Sequence, residues 1–179
     1  EVLIFDTKGS PIIKFGKAEG ISNPTSVVVK DSRIYLSQEG KPYIEVFNYR
    51  GDSVDKIAPP ENIPFSPGKM AVDEDGALYV INKADINCVV FDSKDKFSAV
   101  IGKGLFSTPQ GIAVARDRVY LISSFGGYAV QIYDKQGNYI RGFEGLQDIG
   151  GTLGLPVAAR IDKNGLLWLV DALRGIFVY

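Results

Sequence analysis

The chain has no histidine and one cysteine among its 179 residues. Without imidazole, a zinc or copper centre of the His-containing kind cannot be assembled from these residues, and a single thiol cannot replace it. A Ser-His-Asp relay is excluded for the same reason. A lone Cys88 also excludes an internal disulfide, and its apolar run Cys88-Val89-Val90-Phe91 predicts a small buried hydrophobe, not a reactive thiol. Charge of one sign is equally scarce. Lys plus Arg number 20 against 21 Asp plus Glu, so the net charge of -1 offers no bulk attraction to nucleic acid or to an anionic membrane. No apolar run approaches the roughly 18 residues of a transmembrane helix, and no basic-then-apolar leader opens the sequence, so no membrane insertion of this segment is expected.

What the sequence does have is a repeat. Aromatics at Tyr35, Tyr79, Tyr120 and Trp168 each close an apolar run opened by a proline, at Pro24, Pro67, Pro109 and Pro156. A second set, usually followed by Asp or Asn, falls at Phe5, Phe47, Phe91, Tyr133 and Tyr179. Both sets keep a period of roughly 40 to 45 residues, the length of a four-stranded propeller blade. One repeat gives the pattern: Lys69-Met70-Ala71-Val72 is strand a, Ala77-Leu78-Tyr79-Val80-Ile81 strand b, Cys88-Val89-Val90-Phe91 strand c and Phe97-Ser98-Ala99-Val100-Ile101 strand d. Asp75-Gly76 and Asn164-Gly165 are suited to type I′ turns between a and b, while Gly9, Gly51 and Gly137 punctuate the c-to-d turns. Strands apolar on both faces suit sheets sandwiched between neighbours.

The sequence therefore predicts an all-β propeller of four-stranded antiparallel blades. It divides into a partial blade at 1–23, blades at 24–66, 67–108 and 109–155, and a partial blade at 156–179. Strands c and d alone are expected at the start and a, b and c at the end, the arrangement of an open arc cut from a larger ring, whose uncovered edges favour self-association. Tyr35, Tyr79, Tyr120 and Trp168 are expected at equivalent, largely buried sites between blades.

Pro109-Gln110-Gly111-Ile112-Ala113-Val114, Leu78-Tyr79-Val80, the c-strand endings Val130-Gln131-Ile132-Tyr133-Asp134 and Val90-Phe91-Asp92, and the d-strand endings Phe15-Gly16 and Ile101-Gly102 carry a likeness to a known family. Essentially the whole chain resembles NHL-repeat propellers, which implies a six-bladed ring with about four blades present here. The Asp that typically follows strand b in that family is kept only as Asp171, and is replaced by Gln38, Asn82 and Ser123. The likeness to bacterial propellers of this kind also implies a periplasmic or extracellular location.

In a propeller the b-to-c and d-to-a loops share one face, and strand a lines the channel. Candidate binding residues on that face are Gln38, Lys69, Asn82, Asp85, Gln110, Ser123, Phe125, Tyr128, Asp171 and Arg174. Acids and bases alternate there, so a phosphate track is not expected and nucleic acid is a poor partner. Aromatics in long loops, Phe65, Phe106, Phe125 and Tyr128, suit interface anchoring. The function expected is a noncatalytic recognition scaffold for a protein, peptide or glycan partner, with no cofactor, no catalytic residue and no metal ligand. The alternative is a lactonase-like hydrolase holding a calcium-type ion in the channel through oxygens such as those of Asn82, Asp85 and Asp171. Asp73, Asp75, Asp162 and Asn164 are read as turn residues on the opposite face.

Overall fold

The computed structural model describes residues 1–104, 108–124, 128–146 and 151–179. A hairpin of β1 (Val2–Phe5) and β2 (Pro11–Phe15) comes first. Three four-stranded antiparallel sheets follow in sequence order: β3 (Pro24–Lys30), β4 (Arg33–Gln38), β5 (Ile44–Phe47) and β6 (Ser53–Ile57); then β7 (Pro67–Val72), β8 (Leu78–Asn82), β9 (Asn87–Phe91) and β10 (Phe97–Ile101); then β11 (Pro109–Val114), β12 (Arg118–Ser123), β13 (Val130–Asp134) and β14 (Tyr139–Phe143). A two-residue pairing of β15 (Gly145–Leu146) with β16 (Gly151–Thr152) leads to a three-stranded sheet, β17 (Pro156–Ile161), β18 (Leu167–Asp171) and β19 (Gly175–Val178). Helix is confined to one 3₁₀ turn at Lys17–Glu19 among the described residues. These are propeller blades, with the a strands β3, β7, β11 and β17 packed side by side at the axis and strand c third from it.

Every a strand opens on a proline, a position that needs no ladder donor. Pairing to strand b shifts register directly after it, between Pro24 and Ser26, Pro67 and Met70, Pro109 and Gly111, and Pro156 and Ala158. Each proline thus marks a bulge that turns the incoming loop away from the sheet edge.

One turn design recurs at the opposite end of the blades. In the Asp73 turn, Oδ1 accepts the N–H of Asp75 and of Ala77, and Gly76 closes the loop at φ +81°. The same three-residue loop is built on Asp6, Asn48, Asp92, Asp134 and Asp162. A single residue at positive φ follows a turn of ordinary hand, so Asp75-Gly76 and Asn164-Gly165 do not form the expected type I′ pair; an extra bulged residue takes up the twist instead. Paired positive φ angles occur at Asp31 and Ser32, the tight link from β3 to β4.

The blades bury their faces on one another. Tyr35, Val46, Met70, Leu78 and Val89 join the first full blade to the second. Tyr79, Ile81, Val90, Leu121 and Tyr133 join the second to the third. All residues of β5, β8 and β9 are buried, as sheets covered on both sides require. The anchor aromatics show where the covering stops. Tyr35 and Tyr79 are 1% and 2% exposed, Tyr120 is half-buried and Trp168 is 42% exposed. The equivalent-burial expectation therefore holds for the first two alone. Tyr35 and Tyr79 lie under the c-to-d turn of the following blade, and among the described residues no such turn covers Tyr120 or Trp168. Apolar side chains are correspondingly exposed on the first sheet, at Leu3, Phe5 and Ile12, and on the last, at Val170, Ile176 and Val178.

Candidate functional site

The loop face is built on strand b. Three residues after each anchor aromatic, the chain leaves strand b at Gln38, Asn82, Ser123 and Asp171, and all four side chains are buried. Each turns back to hold the preceding d-to-a loop. Gln38 Oε1 accepts the Ser22 N–H at 2.7 Å, and its Nε2 donates to Glu45 Oε2 at 3.0 Å. Ser53 donates to the other oxygen of buried Glu45 at 2.8 Å. Asn82 Oδ1 accepts the Ser66 N–H at 2.9 Å, while its Nδ2 donates to the Pro64 carbonyl and to Asn87 Oδ1. Ser123 Oγ accepts the Thr108 N–H at 3.4 Å.

Asp171 makes the fullest version. Oδ2 accepts the N–H groups of Gly154 at 2.6 Å and Leu155 at 3.0 Å, and Oδ1 those of Leu173 at 2.9 Å and Arg174 at 3.0 Å. Burial alone would raise its pKa, but the four backbone donors outweigh that and hold the carboxyl below its usual value. Unpaired loop N–H groups thus find acceptors close to the point where the chain enters strand a. The residue that differs between blades, Gln, Asn, Ser or Asp, performs one mechanical task in all of them.

The other candidates are placed differently. Lys69 on β7 and Gln110 on β11 are exposed, and neither has a polar partner among the described residues. Asp85 is half-exposed; it accepts Asn87 Nδ2 at 3.1 Å and faces Lys103 Nζ at 3.8 Å. The Arg174 side chain is exposed. Phe125 and Phe106 lie outside the described residues. Tyr128 is 45% exposed and its ring lies directly over Gly142, where an added Cβ would meet the ring at 2.5 Å. Glycine at 142 therefore makes the seat on which this exposed aromatic rests. Sequence reasoning had no signal for that contact, because Gly142 sits on β14 and Tyr128 in the loop ahead of β13.

Between the four a strands runs a cavity of about 470 Å³, walled by Val27, Val29, Ala71, Val114 and Ala159, with Arg160 exposed within it. The described residues hold no group of three or more His, Cys, Asp or Glu side chains arranged to take a metal ion. Asn82 and Asp85 belong to the second full blade and Asp171 to the last sheet, with the third blade between them, and the oxygens of Asn82 and Asp171 are already occupied by loop N–H groups.

Fold and site together define a β-propeller whose buried polar residues brace its loops. No family model and no curated protein matches the sequence. Solved structures do. The computationally designed Ika4 protein superposes with a TM-score of 0.65 at 12% identity over 88% of this chain and 91% of its own. Virginiamycin B lyase from Staphylococcus aureus superposes with a TM-score of 0.65 at 12% identity over 88% of this chain and 55% of its own. A Bacteroides thetaiotaomicron protein of unknown function gives 0.64 at 16% identity over 87% and 40%. The chain thus spans about half the length of the lyase. At these identities the likeness concerns the fold.

Proposed function

We propose that the protein is a noncatalytic recognition scaffold that binds a protein, peptide or glycan partner through its b-to-c and d-to-a loop face. The observation that carries this reading is Tyr128, an exposed aromatic held in one position by Gly142. A rigid aromatic with a polar tip provides contact area at low entropic cost, the character of an interface anchor. Lys69, Gln110 and Arg174 are the other exposed candidates on that face. Asn82 and Asp171 favour the scaffold over a calcium-type hydrolase, because the atoms that would ligate the ion brace loops instead. Chemistry like that of the lyase is not supported either: replacing one histidine with alanine leaves that enzyme catalytically inactive, and this chain has no histidine.

Further parts of the reading rest on the repeat motifs. They carry the resemblance to NHL-repeat propellers, and that resemblance alone implies a six-bladed ring of which these blades form part and a bacterial location outside the cytoplasm. The test is a peptide and glycan array probed with wild type, Tyr128→Ala and the triple variant Lys69→Ala, Gln110→Ala, Arg174→Ala. Binding lost in the variants at unchanged melting temperature supports the scaffold. Calcium-dependent ester or lactone hydrolysis, or array binding indifferent to all four residues, would overturn it.

A further inference from the structure

Polar groups that meet at the boundary between the first and second full blades find partners there. Asp95, at φ +63° in the turn between β9 and β10, accepts Lys30 Nζ on Oδ1 and both Arg33 Nη1 and the Tyr35 hydroxyl on Oδ2, each at 2.8 Å. At the next boundary, along the outer edge of the third blade, two tyrosines are left half-open. Tyr128 and Tyr139 are 45% and 44% exposed, and neither hydroxyl has a hydrogen-bond partner among the described residues.

Strand pairing sets the two rings side by side. Gln131 pairs with Gly142 and Tyr133 with Tyr139, so Gly142 and Tyr139 stand on one face of β14, two pairing positions or about 7 Å apart. Tyr133, on the same face, packs with Tyr79 and Ile81, so this face looks toward the second full blade. Tyr128 lies over Gly142 and thereby beside Tyr139. After desolvation, the proximity of Tyr128 is the next cause that raises the Tyr139 pKa, and the Tyr139 hydroxyl stays a neutral donor.

Both rings are held from beneath. Tyr128 rests on the Gly142 backbone; Tyr139 meets the buried Tyr133 ring edge-on, with centroids 5.6 Å and planes 72° apart, and the Tyr133 hydroxyl donates to Gln131 Oε1 at 2.6 Å. The first full blade fills the same place itself. Opposite the second residue of strand c it has Lys56 where the third blade has Gly142, and Lys56 Nζ caps the Tyr43 ring 4.7 Å from its centroid. Among the described residues no cation caps Tyr128 or Tyr139. Arg141, the only charged residue of β14, stands on the other face, opposite Ile132.

We propose that Tyr128 and Tyr139 form a stacking platform for two sugar units of a neutral glycan, an inference that rests on the scaffold function proposed above and selects its ligand. A sugar ring presents an apolar C–H face bordered by hydroxyls, and the platform answers both, with uncapped aromatic faces and unpartnered phenolic hydroxyls. The platform carries no charge, which matches an uncharged ligand. Rings fixed in advance lose little freedom on binding. An extended peptide fits less well, because Ile140 is bulged out of pairing between Tyr139 and Arg141 and interrupts the edge to which a strand would add.

Isothermal titration with cellohexaose, maltohexaose and chitohexaose tests the platform. Saturable binding of at least one is expected, weakened roughly tenfold or more by Tyr128→Ala and by Tyr139→Ala, and much less by Tyr139→Phe, which keeps the stacking face. Gly142→Ala should weaken it too, by displacing the Tyr128 ring with both tyrosines present. Tyr139 is half-exposed, so its variants keep the test valid if Gly142→Ala does not fold. No saturable binding of any of the three sugars, or binding indifferent to Tyr139→Ala, would overturn the inference. Capture of a peptide that depends on Tyr128 and is unchanged by Tyr139→Ala would also overturn it while leaving the scaffold function standing.

Discussion

Asp95→Asn should be among the most damaging single-atom changes available in this protein. The Lys30 and Asp95 side chains are 3% and 8% exposed, so their 2.8 Å contact lies out of water. Removing the negative charge leaves the Lys30 ammonium buried beside the Tyr35 ring, 5.4 Å from its centroid, without an ion-pair partner and with only the more distant Asp92 opposite in charge. Breaking a buried pair in this way costs about 3 to 5 kcal/mol. Arg33 adds little to that figure, because it is a third exposed and keeps its 3.0 Å contact with Asp55. Equilibrium urea unfolding with a fluorescence readout measures the loss. Two controls separate charge from backbone. Asp95→Gly relieves the positive φ but still removes the carboxylate, and should be nearly as unstable. The double variant Lys30→Met, Asp95→Gly removes both charges without straining the positive φ and should recover much of the stability lost by Asp95→Gly alone. A loss below about 1 kcal/mol for Asp95→Asn, the size of an ordinary surface substitution, would refute the buried-pair argument.

Other outcomes follow from the same structure. Tyr79→Ala should cost about 3 to 5 kcal/mol, whereas Trp168→Ala, at the corresponding repeat position but 42% exposed, should cost clearly less, both read by urea unfolding. Asp171 has a folded pKa below the unfolded one, so its contribution is full above the unfolded value of about 4 and fades as pH falls through the folded pKa. The stability gap between wild type and Asp171→Asn, measured by unfolding across pH 2 to 7, should therefore narrow on the acid side; a gap that widens there would contradict the bracing role. Burial pushes the Cys88 thiol up to about 12, so a thiol reagent should leave it unmodified in the native protein and label it after denaturation.

The propeller was legible because two aromatic anchors, one proline and one Asx turn repeat in step. Each has a local cause: a strand opening without a donor, a buried ring, and an Asp or Asn closing a turn on its own backbone. The site was less legible for an instructive reason. Gln38, Asn82, Ser123 and Asp171 look like varied loop chemistry, yet their constant offset of three from the anchor aromatic was the mark of a shared structural task. A residue needed for one ligand has no cause to recur in every blade. Tyr128 on Gly142 and Asp95 on Lys30 were invisible because they depend on which residues meet across a turn or a blade boundary. Asp95 did carry one overlooked signal, an aspartate where the other c-to-d turns place glycine.

The inter-blade contacts also reverse polarity along the chain. At the first full boundary, cations at Lys30 and Arg33 receive the anion Asp95; at the next, the anion Asp73 receives the cation Lys135. Blades of nearly the same shape and hydrophobicity could otherwise dock in the wrong order while the chain collapses. Moving Lys135 to the first boundary would oppose it to Lys30 and Arg33, and moving Asp95 to the second would oppose it to Asp73. The alternation therefore acts as a lock-and-key code for assembly, making each blade a proper neighbour for one partner and a repelled neighbour for the other.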